Sequence, residues 1–372
     1  MRFLIISHVL HKSNAHQWYA YAPYVREMNL WLKHVDEVEI VAPLTEVSIS
    51  EIDIAYSHDN ITLTQIPAIA FVNISRGIKS LLVLPYILFK LWKACKRADH
   101  IHLRCPGNIG LLGCLVQFFF PKKVKTAKYA GNWDPNANQP KSYRIQKNIL
   151  SNIKWTKKMT ALVYGDWPNQ TKNIKSFFTA TYKDQDRVIP VTRDYTKGLE
   201  FVFVGSLVTG KRPLLAIQIV EQLLRSGVKC NLQLFGDGVL KQEVQQYVKD
   251  KQLGSDIVLH GNKTNETVKA ALQSAHFTIL ASKSEGWPKA LAEAMFFGVI
   301  PIATAISCVS NMLDYGNRGI LIAPNVDDAV SKILLALKSN DGLETMSKLA
   351  SDWSQQYTLD VFESEIEKLI KA

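Results

Sequence analysis

The chain of 372 residues has only five cysteines, Cys95, Cys105, Cys114, Cys230 and Cys308, and no Cys-x-x-Cys pair. An odd, scattered set argues against a disulfide framework and against a zinc site, and fits a reducing compartment. No run of about 18 apolar residues occurs, so no spanning helix is expected. The opening MRFLIISHVL carries one charge and meets His8 and His11 at once, unlike a secretory leader. These absences point to a cytoplasmic protein, peripheral at most to the inner face of a membrane. Hydrophobic residues make up 47% and charged residues 21%, which suits a globular chain, and the length suits two domains.

Acidic residues are scarce in one half. Residues 1–198 hold 27 Lys and Arg against 14 Asp and Glu, while the remainder holds 17 against 19. The first half is therefore basic and the second nearly neutral, and an anionic partner is expected for the first. Two stretches, GIKSLLVLPYILFKLWKACKR (77–97) and FFFPKKVKTAK (118–128), join aromatic and aliphatic residues to lysines, as a surface for an anionic membrane does. A buried helix with a solvated lysine face reads equally well. No nucleic-acid-binding motif is present, and no such partner is expected.

Apolar strand runs alternate with helical patterns throughout, which argues for parallel α/β sheets. The first half offers strands at 2–7, 38–43, 100–104, 124–130 and 160–165, with helices at about 107–119 and 144–158. A charged stretch without helical periodicity, KDQDRVIPVTRDYTKGL, reads as a linker near 183–199. The scheme then restarts with strands at 200–205, 231–238 (entering a glycine turn), 256–261, 276–282, 299–304 and 319–324, and helices at 212–227 and 265–275, the latter with Asn265 as N-cap. The expected domains are 1–193 with a returning C-terminal helix at 356–372, and 194–355.

Doubly wound sheets bind ligands beyond the carboxyl ends of their strands. Four turns of the second half collect there: Gly205–Lys211, Gly236–Gly238, Gly261–Thr264 and Ser282–Pro288. The last, in SKSEGWPKALAEAM, carries two glutamates eight apart, Glu285 and Glu293. Pro288 fits the first position of a helix, and the N–H groups there form an anion site. Glu293 lies roughly 7–8 Å further along at about 1.5 Å per residue. A carboxylate there cannot read the same phosphate, but it can accept two hydrogen bonds from a sugar diol of the same ligand. A nucleoside diphosphate has that length and polarity. Lys211, at the other glycine-rich turn, can neutralise the phosphates. Arg212 follows it where a Walker A motif requires Ser or Thr.

With these residues the segment FVGSLVTGKRP, LFGDG, LHGNKT, SKSEGWPKALAEAM and GILIAP resembles the C-terminal domain of family 4 retaining glycosyltransferases. Their signature is E-x7-E, matched by Glu285 and Glu293. The resemblance implies the GT-B fold, two Rossmann-like domains facing a central cleft. It implies that Glu285 contacts the donor sugar, Glu293 the ribose and Lys211 the diphosphate. Backbone amides of the turn Gly286–Lys289, which includes Trp287 and Pro288, would hold the diphosphate, with Gly205 and Gly236 beside it. Gly261, Asn262 and Lys263 would lie near the base. It also implies retention of configuration, no protein nucleophile, no cofactor and no metal.

Three departures stand out. Ser206 occupies a position where many members have Arg, leaving Arg212 and Arg104 as substitute phosphate cations. A histidine common after the fourth strand is replaced by Gly131-Asn132-Trp133-Asp134. The first interdomain loop, SHVLHKSNAHQW, lacks the usual glycine pair. His8, His11, Arg104, Asn132 and Asp134 are the acceptor-side candidates, Asp134 also a catalytic one. The expected partners are a nucleotide-sugar donor (UDP- or GDP-linked) and a glycan or lipid-linked acceptor, in cell-surface polysaccharide synthesis. The alternatives are a non-catalytic nucleotide-sugar-binding protein and a GT-B epimerase.

Overall fold

The computed structural model describes residues 1–14, 17–50, 52–69 and 74–371. It divides into two compact units, residues 1–178 with 361 onward, and residues 179–360. The boundary thus falls earlier than the 193/194 junction expected above. The physical reason is that the segment after Phe178 packs on the second unit. Tyr182 sets its ring 4.8 Å from Phe296 and 5.0 Å from Phe297. Buried Arg193 donates to five carbonyls, among them Ala275 O at 2.6 Å and Phe297 O at 2.9 Å. Four of these carbonyls, of Gln273, Ala275, Phe297 and Gly298, close the C-terminal ends of two helices, where a cation is favoured.

The first unit is built on a seven-stranded parallel sheet. Its order across the sheet is 174–177, 159–164, 124–129, 100–105, 2–6, 37–42 and 61–65. The central strands are buried on both faces, so they read as continuous apolar runs rather than alternating ones. Direction of strand addition reverses between Arg2–Ile6 and His100–Cys105. A small antiparallel sheet, Lys12–Asn14, Gln17–Tyr21 and Asp53–Ala55, was not expected from the sequence. The final helix, Leu359–Lys371, places Phe362 against Phe177 and Phe178, with ring centroids 5.2 and 5.5 Å apart. Ion pairs Lys175–Glu365 and Lys33–Glu363, at 2.6 and 2.7 Å, flank that contact.

The second unit has a six-stranded parallel sheet in the order 257–261, 230–235, 199–204, 277–280, 300–304 and 320–322. Here the reversal lies between Leu199–Val204 and Phe277–Leu280. At such a reversal the loops leaving two neighbouring strands part in opposite directions, which opens a crevice at their carboxyl ends. The loops that leave these two strands are the ones carrying Lys211 and Glu285.

Local details differ from the sequence reading in three places. Thr264, not Asn265, caps the helix Asn265–Ser274, its hydroxyl accepting from Thr267 N–H at 3.3 Å. The helix expected to reach residue 158 runs only over Lys141–Leu150. Asn152 ends it, its side-chain oxygen accepting the N–H groups of Lys154 and Trp155 at 3.0 and 3.2 Å. Pro288 stands just before the helix Lys289–Phe296 rather than in its first turn, though its carbonyl accepts from Leu291 at 2.9 Å.

Candidate active site

Three loops of the second unit are zipped together by backbone bonds. Gly205 N–H donates to Phe235 O at 2.9 Å, Leu207 N–H to Asp237 O at 3.0 Å, and Gly236 N–H to Gly261 O at 2.9 Å. The contact is so close that a Cβ on Gly236 would lie 2.0 Å from Gly205 O, and Gly236 has φ +139°. Only glycine fits that approach. A fourth loop joins the set through Lys283 N–H, which donates to Gly210 O at 2.8 Å. The sequence-predicted turns thus converge at the sheet's reversal point.

Lys211 and Glu285 meet there. Lys211 Nζ lies 2.5 Å from Glu285 Oε1, with the Glu285 side chain 9% exposed and the Lys211 side chain 30%. An opposite charge satisfies each group without a third partner. Glu293 lies on the helix that follows. Its Oε1 accepts from Thr181 Oγ1 at 2.6 Å and stands 3.7 Å from Lys289 Nζ. Thr181 is a residue that sequence reasoning missed.

The loop between the glutamates is held from behind. Trp287 stacks on Trp353 at 6.1 Å and meets Tyr357 edge-on at 5.8 Å, which anchors it to the helix Asn340–Ser354 and the residues after it. Cys308 Sγ donates to Gly286 O at 3.2 Å. Burial pushes the Cys308 thiol up to about 12, so it stays a protonated donor at neutral pH. Lys289 N–H is already used by Trp287 O at 2.8 Å, so the expectation that it holds a diphosphate is not matched in this arrangement. Arg212 is likewise committed. It adopts φ 50°, and its Nη1 donates to Ala281 O and Ser282 O at 3.2 and 3.4 Å, which secures the start of the loop that carries Glu285. Ser206, Asn262 and Lys263 are exposed.

Loops of the first unit cluster at its own reversal point. A Cβ on Gly107 would sit 2.7 Å from the His8 ring, and one on Gly131 would sit 3.0 Å from Pro106. His8 is solvent-accessible, yet partial desolvation and then the Arg104 charge push it below the ordinary histidine range. Arg104 faces Glu27 at 3.3 Å and covers the Tyr24 ring at 5.3 Å, so its charge is already partnered within this unit. Asn132 Oδ1 accepts from Asp134 N–H, and Asp134 Oδ1 from Asn136 N–H, both at 2.8 Å. Both side chains thus brace the turn after the strand Val124–Tyr129. His11 departs from its expected place in a cleft. It is fully buried, bonded to Tyr56 Oη at 2.7 Å and Val9 O at 2.8 Å, and burial lowers it to about 4. It is a core histidine, neutral at physiological pH.

The chain's one Asp-x-Asp triplet, Asp184-Gln185-Asp186, is paired off by the fold: Asp186 with Lys269 at 2.8 Å, Asp184 with Thr358 Oγ1 at 2.7 Å. Among the described residues no group of three or more His, Cys, Asp or Glu is placed to hold a metal.

Residues 184–356 match the family model described as glycosyl transferases group 1. WcaL of Salmonella typhimurium, provisionally named a colanic acid biosynthesis glycosyltransferase, is 29% identical over 171 residues, 42% of this chain and 42% of that protein. The Campylobacter jejuni GalNAc-alpha-(1->4)-GalNAc-alpha-(1->3)-diNAcBac-PP-undecaprenol alpha-1,4-N-acetyl-D-galactosaminyltransferase is 27% identical over 177 residues, 45% of this chain and 47% of that one. The chain thus spans about half or less of these curated relatives. The crystal structure of Anabaena HepE in complex with UDP superposes with a TM-score of 0.67 at 12% identity, covering 100% of this chain and 99% of that chain. That likeness shows the GT-B fold.

Proposed function

Since residues 184–356 belong to the glycosyl transferases group 1 family, we propose that the protein transfers a sugar, with retention of configuration, from a nucleoside diphosphate donor to a glycan or lipid-linked acceptor. The observation that carries the reading is the Lys211–Glu285 pair, 2.5 Å long, at the reversal point of the second sheet, with Glu293 about one turn into the helix that follows. UDP is the favoured nucleotide because HepE, of the same fold, is crystallised with it. A lipid-linked glycan acceptor is favoured by the Campylobacter relative, whose name specifies a diphospho-undecaprenol substrate.

In this reading the donor diphosphate enters between the loops at 205–211 and 282–288. Lys211 leaves Glu285 for the phosphate oxygens, and Glu285 is released to bond the sugar hydroxyls. Glu293 exchanges Thr181 for the ribose diol. The bond from the sugar's anomeric carbon to the β-phosphate oxygen breaks. The acceptor oxygen bonds that carbon on the same face, and its proton passes to the departing phosphate oxygen. The protein's contribution is charge placed in advance where the leaving group develops it, and alignment of the two reactants. No step passes through a side-chain nucleophile.

Incubation with a panel of UDP- and GDP-sugars and lipid-linked acceptors, followed by NMR of the product's anomeric signal, tests this. A product with the donor's configuration is expected. Tight nucleotide-sugar binding without turnover of any donor favours a binding protein instead, and interconversion of free donor sugars favours an epimerase.

A further inference from the structure

A second surface, in the first unit, plays no part in the chemistry above. From Ile61 to Gly165 the chain has 17 Lys and Arg but two acids, Asp99 and Asp134. The helix Ile74–Arg97 buries one side, with Ile87, Leu91, Ala94 and Cys95 fully covered. Its other side is left to solvent: Leu82 is 75% exposed, Tyr86 48%, Phe89 59% and Trp92 41%. Spacings of three and four residues place these four on one stripe. Lysines flank them, Lys90 Nζ standing 5.3 Å over the Tyr86 ring and Lys96 Nζ 5.6 Å over the Trp92 ring.

Two further segments extend the stripe. The Trp92 ring lies 6.4 Å from Phe120, and Phe118 lies 5.9 Å from Trp155. Between these contacts Phe119 is 73% exposed and Trp155 55%. Lys122, Lys154 and Lys157 stand exposed around them. Residues 74–97, 117–128 and 141–158 contain no acid at all. Segments far apart in sequence thus contribute to one apolar, aromatic and wholly cationic face. No helix among the described residues is long and apolar enough to cross a membrane.

We propose that this face docks the protein on an anionic lipid surface. Leu82, Tyr86, Phe89 and Phe119 enter the boundary between headgroups and acyl chains, where aromatic residues partition well, and the lysines neutralise lipid phosphates. A soluble polyanion such as RNA shares the charge complementarity, but it gives no gain for exposed Leu82 or its exposed neighbour Leu81. The inference rests on this surface alone and stands apart from the transferase reading.

Flotation of the full chain tests it, using phosphatidylcholine vesicles with and without phosphatidylglycerol, at low and high salt. Binding is expected on the anionic vesicles, falling with salt and nearly absent on neutral ones. The triple variant Lys93→Glu, Lys122→Glu, Lys157→Glu should lose on the order of fivefold in partitioning per charge. Phe89→Ser with Phe119→Ser should abolish the part of binding that survives salt. Melting temperature and nucleoside diphosphate binding in solution, unchanged in both variants, show that the fold and the second unit are intact. Failure of the wild type to float with either vesicle overturns the proposal. So does equal flotation of the charge-reversed variant, or retention of RNA without vesicle binding.

Discussion

Lys211 Nζ and Glu285 Oε1 lie 2.5 Å apart, joining two loops that leave neighbouring strands of the second sheet. Each charge is the other's partner, so ligand entry exchanges an internal ion pair for two contacts to the ligand. Removing the lysine leaves a largely buried carboxylate facing the incoming phosphates. Lys211→Met should therefore weaken nucleoside diphosphate binding roughly tenfold to a hundredfold, the range of a hydrogen bond to a charged group. Calorimetric titration of the purified variant with UDP measures it, and an unchanged affinity would remove Lys211 from the site.

Gly236 admits no side chain. A Cβ there would sit 2.0 Å from Gly205 O, against backbone that has nowhere to move, and φ is +139°. Gly236→Ala should cost several kcal/mol and lower the melting temperature of the second unit by roughly 5–10 °C or prevent its folding. Gly210 is the control, since a Cβ there would meet nothing within 4 Å and its φ is not positive. Gly210→Ala should leave the melting temperature nearly unchanged.

Lys128 imposes a pH dependence on the first unit. It is fully buried, 4.5 Å from the ring centroids of both Tyr164 and Phe177, and its Nζ donates to Phe178 O at 3.2 Å. Burial brings it down to about 7, with Glu27 opposing and Arg104 reinforcing the shift; Tyr164 and His102 also face it. Above that value the unfolded chain holds a proton that the folded chain has lost, so stability rises with pH from about 7 towards the ordinary lysine value. The gain between pH 7 and 9 is at most roughly 2–3 kcal/mol. Lys128→Met should flatten this rise, which denaturant melts at a series of pH values would show.

Much of this was legible in the chain because buried parallel strands are continuous apolar runs, and because glycine turns mark their ends. The register of Glu285 and Glu293 was equally readable, since the interval lies within one loop and helix. Contacts set by folding were not. Thr181 reaches Glu293 across 112 residues, and Cys308 reaches Gly286 across 22, with no local pattern announcing either. His11 and Arg212 show the converse. Their chemistry invited a functional role, but His11 is bonded to Tyr56 in the core, and Arg212 spends one guanidinium nitrogen on two loop carbonyls. The two possible caps at Thr264 and Asn265 are adjacent, and composition does not choose between them. The helix over 77–97 was open between a buried and an exposed reading; it is both, one side each.

The central claim is that one glutamate holds the nucleotide and the other serves the transferred sugar. Titrating UDP into Glu285→Ala and Glu293→Ala, alongside a transfer assay on each, tests it most directly. Glu293→Ala is expected to lose binding, while Glu285→Ala keeps it and loses transfer. Wild-type binding and transfer in both variants would contradict it.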